Sequence, residues 1–149
     1  MRPRTRSPTT DGRRSPPANA VPSIAHTNRT TWQVREREVR YALAWLQQAP
    51  HNQSPYNYLR AFVRNVDGGF RAFPFVLSEL EALVAKDSTC APLLALMVDV
   101  LQSRETRPSV ERALAYCSDL MDRTDVIRRK YWHLQREAIV RKLDSIAAS

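Results

Sequence analysis

Apolar residues recur along this chain at the spacing of helix faces, and from residue 28 onward they do so almost without a break. Val39, Ala42, Leu43 and Leu46 fall at i, i+3, i+4 and i+7, which predicts a first helix over roughly 31–48, with Glu36 and Glu38 near its start and Pro50 ending it. A second helix is predicted with Ser54 as its N-cap and Pro55 at the first helical position, burying Tyr56, Leu59, Phe62 and Val63. Asp67-Gly68-Gly69 stops it, because glycine takes up the left-handed conformation that helix ends use. A third helix starts near Pro74 and carries Val76, Leu80, Leu83 and Val84. The fourth, from about Cys90, is apolar around most of its circumference, as expected for a central or partner-covered helix, with Asp99 an outward-facing interruption. The fifth starts near Pro108 and carries Val110, Ala113, Leu114, Cys117, Leu120 and Met121. The sixth is expected to be capped by Thr124 and to bury Ile127, Tyr131, Leu134 and Ala138.

Six helices joined by short connections, with no credible strand, define the fold class: all-α, a short α-α superhelix (solenoid) of antiparallel helical hairpins. The first 27 residues depart from this pattern. They hold five of the ten prolines and few large aliphatic side chains, too few to offset the entropy of ordering, so a disordered tail is expected over 1–27 and the repeat domain over 28–149.

Charge alters this picture less than it first suggests. The net charge is +8, but half of it lies on the arginines of that tail, which weakens a nucleic-acid reading of the whole chain. The cluster Arg128, Arg129, Lys130, Arg136, Arg141 and Lys142 reads more simply as the solvated face of an amphipathic helix than as a phosphate contact. No apolar run is long enough to span a bilayer and no apolar leader is visible, so a cytoplasmic protein is expected. Cys90 and Cys117 lie on apolar helix faces and are expected as reduced core thiols.

The chain offers little toward a reaction centre of its own. His26, His51 and His133 form no ligand spacing with one another or with the cysteines. No nucleophile elbow or phosphate-cradling glycine loop is present, and Asp119, Asp122 and Asp125 read as a solvated turn. No catalytic, cofactor-binding or metal-binding residue is therefore expected in this chain.

One stretch is more specific. Glu36-Arg37-Glu38, Tyr41, Pro50-His51-Asn52, Ser54 and Asn57-Tyr58-Leu59 resemble a late repeat of the α subunit of protein farnesyltransferase/geranylgeranyltransferase type I, written E-R-E-x-x-Y followed by P-H-N-x-S-x-W-N-Y-L, with Tyr56 in place of the usual tryptophan. Asp125 to Trp132 is similar to that family's closing helix, D-x-I-R-K-x-Y-W, and Leu94–Leu101 and Ala113–Cys117 resemble the helices before it, so the resemblance runs from about 35 to 143. It implies structural roles for the motif: Ser54 caps a helix, Asn52 and Asn57 bond loop backbone, Tyr56 wedges between hairpins, and Tyr131 and Trp132 belong to the closing helix, Tyr131 on its buried stripe.

The resemblance further implies a scaffold subunit wrapped around a β subunit. That partner would hold the catalytic zinc, alone or with magnesium, and most of the pocket for the prenyl diphosphate and the CaaX protein substrate. The pair transfers a farnesyl or geranylgeranyl group to the CaaX cysteine. The family's lysine-bearing motif, K-N-Y-x-x-W-x-x-R, has no match in residues 1–34. An N-terminally truncated α subunit, inactive alone, is therefore expected. The alternatives are an α-solenoid interaction module with no link to catalysis and a basic helical RNA-binding protein.

Overall fold

In the computed structural model the described residues are 28–148, and among them every regular element is helical. The expected disordered tail lies outside the described residues. The helices are α1 (Asn28–Gln48), α2 (Gln53–Arg64), α3 (Phe75–Lys86), α4 (Ala91–Ser103), α5 (Arg107–Asp119) and α6 (Arg129–Ala148). The chain divides between Glu38 and Val39, inside α1. In the N-terminal unit the Arg35 guanidinium lies 6.0 Å over the ring of Trp32.

Three short connections make three helix pairs. The first is the Pro50-His51 turn, closed by the Asn52 N–H on the Ala49 carbonyl at 3.0 Å. The cap of α2 is Asn52 rather than the expected Ser54: the Asn52 side chain accepts the Ser54 N–H at 3.0 Å. Pro55 then sits third in the helix, where its missing N–H still removes no intrahelical bond. α2 ends at Asn65, and Gly68 (φ 88°) supplies the left-handed turn into a 3-10 segment, Gly69–Ala72, that leads to α3. Between α3 and α4, Asp87 accepts both the amide (2.9 Å) and the hydroxyl (2.6 Å) of Thr89, which holds its carboxyl below the usual range.

α4 is the centre of the unit. Leu93, Leu94, Ala95, Leu96, Met97, Val98, Val100 and Leu101 are all buried, so the all-round apolar helix is a core helix. It packs most closely on α5 and next on α3, and α5 packs in turn on α6. Val39, Ala42, Leu43 and Leu46 of α1 and Tyr56, Leu59 and Val63 of α2 join the same apolar cluster. α1 reaches α3 through Arg40, 4.0 Å over Phe75, and α2 through Trp45, whose ring centroid is 6.4 Å from that of Tyr58.

The sixth helix differs from its expected form. Leu120–Thr124 is a π turn and Val126–Arg128 a 3-10 turn, so α6 starts only at Arg129. Thr124 does not cap it; its hydroxyl donates to Asp119 at 2.8 Å. The expected buried stripe is on the outside: Ile127 is 98% exposed, Leu134 62% and Tyr131 47%. Trp132 (3%) and Ile139 (0%) are buried in its place, with Leu143 and Ile146 partly covered. The wide π turn, followed by a tight 3-10 turn, resets the rotational phase of the helix. The inward position then goes to the larger indole, whose N–H finds a partner in Asp125 at 2.8 Å.

Candidate functional site

The motif residues occupy two places. Tyr56 is fully buried between the first turn and the start of α4. Its hydroxyl donates to the Pro50 carbonyl at 2.7 Å and lies 3.9 Å from the Cys90 sulfur. Desolvation pushes the phenol well above the ordinary tyrosine range. Cys90 donates to the same carbonyl at 3.1 Å, so two donors converge on one oxygen and tie the α1–α2 turn to the head of α4. Asn52, as described, is the cap, with Ser54 exposed beside it.

His51 Nδ1 lies 3.8 Å from the Cys90 sulfur, and His51 Nε2 lies 3.7 Å from Asp87. The order Cys, His, Asp is that of a nucleophilic triad, but the geometry is not. The thiol is fully buried and committed to the Pro50 carbonyl, and the His51–Asp87 separation exceeds a direct hydrogen bond. Nor do these donors fit a zinc ion, for among the described residues no group of three or more His, Cys, Asp or Glu is placed to hold one. Cys117, the other free thiol, donates to the Trp132 carbonyl at 3.2 Å, and burial pushes it up to about 11.

The second place is a cleft of about 280 Å³ lined by Gln53, Asn57 and Arg60 of α2, Pro92, Ala95 and Asp99 of α4, and Arg128, Tyr131 and Trp132 at the head of α6. Three of the six motif residues (Asn57, Tyr131 and Trp132) therefore meet, from opposite ends of the sequence motif set. Each wall comes from the second helix of a hairpin or its first turn.

Its charges are paired. Arg60 Nε donates to Asp99 at 2.6 Å, and Arg128 Nε to Asp125 at 2.9 Å. Asp125 Oδ2 also takes the Trp132 indole N–H, and the Arg128 guanidinium carbon lies 5.4 Å and 5.8 Å from the Tyr131 and Trp132 ring centroids. The side chains of Asn57 and Gln53 are exposed and make no hydrogen bond among the described residues, so Asn57 does not bond loop backbone as expected. Sequence reasoning found the aromatics but missed Gln53, Arg60 and Arg128 as members of a common site. Arg60 and Asp99 are 39 positions apart, and no local pattern joins them.

A larger recess of about 430 Å³ lies over Met121, Arg129, Lys130, His133 and Leu134. It is apolar, and His133 at its rim is paired with Glu137 at 3.2 Å. The basic cluster of the last helix is partly neutralised. Arg128 pairs with Asp125, Arg129 with Asp122 at 3.6 Å, and Lys142 with Glu105 at 4.0 Å. No helix of the described residues is long and apolar enough to cross a membrane.

Among the described residues, fold and cleft together define an all-α helical-hairpin repeat with a polar cleft and an apolar centre. The chain is similar to the α subunit of protein farnesyltransferase/geranylgeranyltransferase type 1 of Dictyostelium discoideum, with 26% identity over 141 residues. That match takes in 83% of this chain and 44% of the relative, so the chain spans less than half of that protein's length. The resemblance carried by Arg35–Leu59 and by the last helix is thus matched by similarity to a curated member of the same family at modest identity. No family model matches the chain.

Proposed function

We propose that this chain serves as the α-type scaffold of a heterodimeric protein prenyltransferase that moves a farnesyl or geranylgeranyl group onto the cysteine of C-terminal CaaX sequences. The observation that carries this reading is the similarity to a prenyltransferase α subunit over 83% of the chain. The structure is suited to the role in a physical sense: its motif residues anchor turns and helix heads, and a polar cleft lies open beside α2 and α4.

Zinc, alone or with magnesium, belongs to the β subunit in this reading. Prenyl diphosphate and CaaX protein engage the complex, and the chain alone turns over neither. Two buried free thiols suit a reducing, cytoplasmic setting. The RNA-binding reading is disfavoured by the ion pairs that occupy Arg128 and Arg129.

The test is transfer of a radiolabelled prenyl group to a CaaX peptide by the purified chain, a β subunit, and the two together. Transfer by the mixture above that of either component supports the proposal. A mixture no more active than the β subunit refutes it.

A further inference from the structure

The apolar recess beside α6 is bordered by charges that say what can fill it. Met121, from the π turn, and Leu134 make its apolar floor, and Arg129, Lys130 and His133 stand round it. Glu137, Val140 and Arg141 follow on the same face of the helix, and Val140 adds to the exposed apolar surface. Against the rest of the unit, α6 packs chiefly on α5 and on the turns before it.

The charges on this face are not balanced. Glu137 is held by His133 at 3.2 Å and Arg129 by Asp122. Lys130 and Arg141, at the two ends, have no ion pair among the described residues. They lie eleven residues apart, about 16 Å along the axis. The helix as a whole carries five Lys and Arg against two carboxylates. The face therefore offers a cation at each end, a closed ion pair between them, and an apolar hollow alongside.

Four occupants fail on charge or shape. A second copy of the chain would lay this cationic helix against itself, like charge on like. Residues 1–27 hold five arginines and no acidic residue but Asp11, so they too bring cations to cations. An anionic bilayer would satisfy Lys130 and Arg141, but it would press Glu137 against its headgroups, and a plane leaves the hollow unfilled. A nucleic acid has the anions but puts no aliphatic side chain on Met121 and Leu134. A helix with an apolar stripe and carboxylates at both ends of it meets every condition at once.

We propose that the 130–141 face of α6 is a docking groove for an acidic amphipathic helix of another protein. Apolar side chains of that helix enter the recess over Met121 and Leu134, and its carboxylates pair with Lys130 and Arg141. The groove does not rest on the prenyltransferase reading, and its test contains no β subunit, so the two stand or fall separately.

The test uses the full chain, immobilised, and a displayed library of single helices with leucine fixed along one stripe and flanks drawn at random from Asp, Glu, Lys, Arg and Ser. The counter-targets are Leu134→Ser, which removes the floor, and the double variant Lys130→Ser/Arg141→Ser, which removes the unpaired cations. All three positions are exposed, and circular dichroism with a urea midpoint near that of wild type verifies that each variant folds. Enriched helices should be acidic at both ends of the stripe. Synthesised, labelled and followed by fluorescence anisotropy, they should bind wild type about tenfold more tightly than either variant at low salt, the worth of one buried apolar contact or of two exposed ion pairs. The penalty of the double variant should shrink at high sodium chloride, and that of Leu134→Ser should persist. Failure to enrich any helix over Leu134→Ser overturns the groove, as does enrichment of basic or neutral flanks. So does co-sedimentation with phosphatidylserine vesicles, or binding of an RNA oligonucleotide, that the double variant abolishes. Sedimentation equilibrium showing the chain dimerising in a way that Leu134→Ser abolishes would place a second copy there and overturn it equally.

Discussion

Replacing Tyr56 first by phenylalanine and then by alanine separates the two jobs the side chain does. The ring is fully buried within the common cluster, and its hydroxyl donates to the Pro50 carbonyl at 2.7 Å. Phenylalanine keeps the ring and deletes the donor. The carbonyl retains the Cys90 thiol at 3.1 Å, so it is not left without a partner and the larger penalty for an orphaned acceptor does not apply. The cost should be that of one net hydrogen bond, about 1 kcal/mol. Alanine leaves a cavity between α2 and the head of α4 in addition, and aromatic-to-alanine changes in cores cost about 3–5 kcal/mol. With a denaturant slope of about 1.5 kcal/mol per molar urea, the midpoints should fall by about 0.7 M for phenylalanine and about 2–3 M for alanine. The assay is urea unfolding followed by far-ultraviolet circular dichroism at neutral pH. Equal losses in the two variants would refute this, because the hydroxyl, not the ring, would then hold the hairpins together. No loss in either would refute the burial itself.

Three more outcomes follow from the same contacts. Asn52→Ala should destabilise by about 1 kcal/mol while Ser54→Ala stays within about 0.5 kcal/mol, because only Asn52 caps α2; the reverse order in urea melts would move the cap back to Ser54. Asp125→Asn and Trp132→Phe should each cost about 1–2 kcal/mol and be coupled by about 1 kcal/mol in a double-mutant cycle, since the carboxylate accepts the indole N–H at 2.8 Å; additive losses would remove that bond from the account. Cys117 carries a stability term lost at high pH. Its thiol is pushed up to about 11 by burial, so above the ordinary thiol range the unfolded chain releases a proton that the folded chain keeps. Wild type should therefore lose stability faster than Cys117→Ala between about pH 9 and 11, at up to about 1.4 kcal/mol per pH unit, and parallel pH profiles of the two proteins would contradict this.

What could be read from the chain before its structure depended on how many packing solutions each stretch allowed. α4 has apolar residues on nearly every side, so composition marked it as covered all round, by the core or by a partner, and the structure places it in the core. The buried row of α2 was equally plain, since Tyr56, Leu59 and Val63 have no rival face. α6 has two rows to choose from. Ile127, Tyr131, Leu134 and Ala138 make one, and Trp132, Ile139, Leu143 and Ile146 make the other. The choice is set upstream, by the π turn at Leu120–Thr124 and the 3-10 turn behind it, neither of which leaves a period in the sequence. The cap of α2 was misplaced for a related reason: Asn52 and Ser54 both bear capping oxygens, and only the closure of the Pro50-His51 turn selects the first. The cleft was half legible. Its aromatics and Asn57 stood out in the motif, but its Arg60–Asp99 ion pair joins residues from different hairpins, which only tertiary structure brings together.

The most direct measurement of the central claim is co-expression of the tagged chain with a prenyltransferase β subunit, followed by affinity purification and light scattering on the eluted species. A stable one-to-one complex is predicted, with the chain remaining helical and the β subunit retained through a high-salt wash. Recovery of the chain by itself, with the β subunit in the flow-through, would contradict the account.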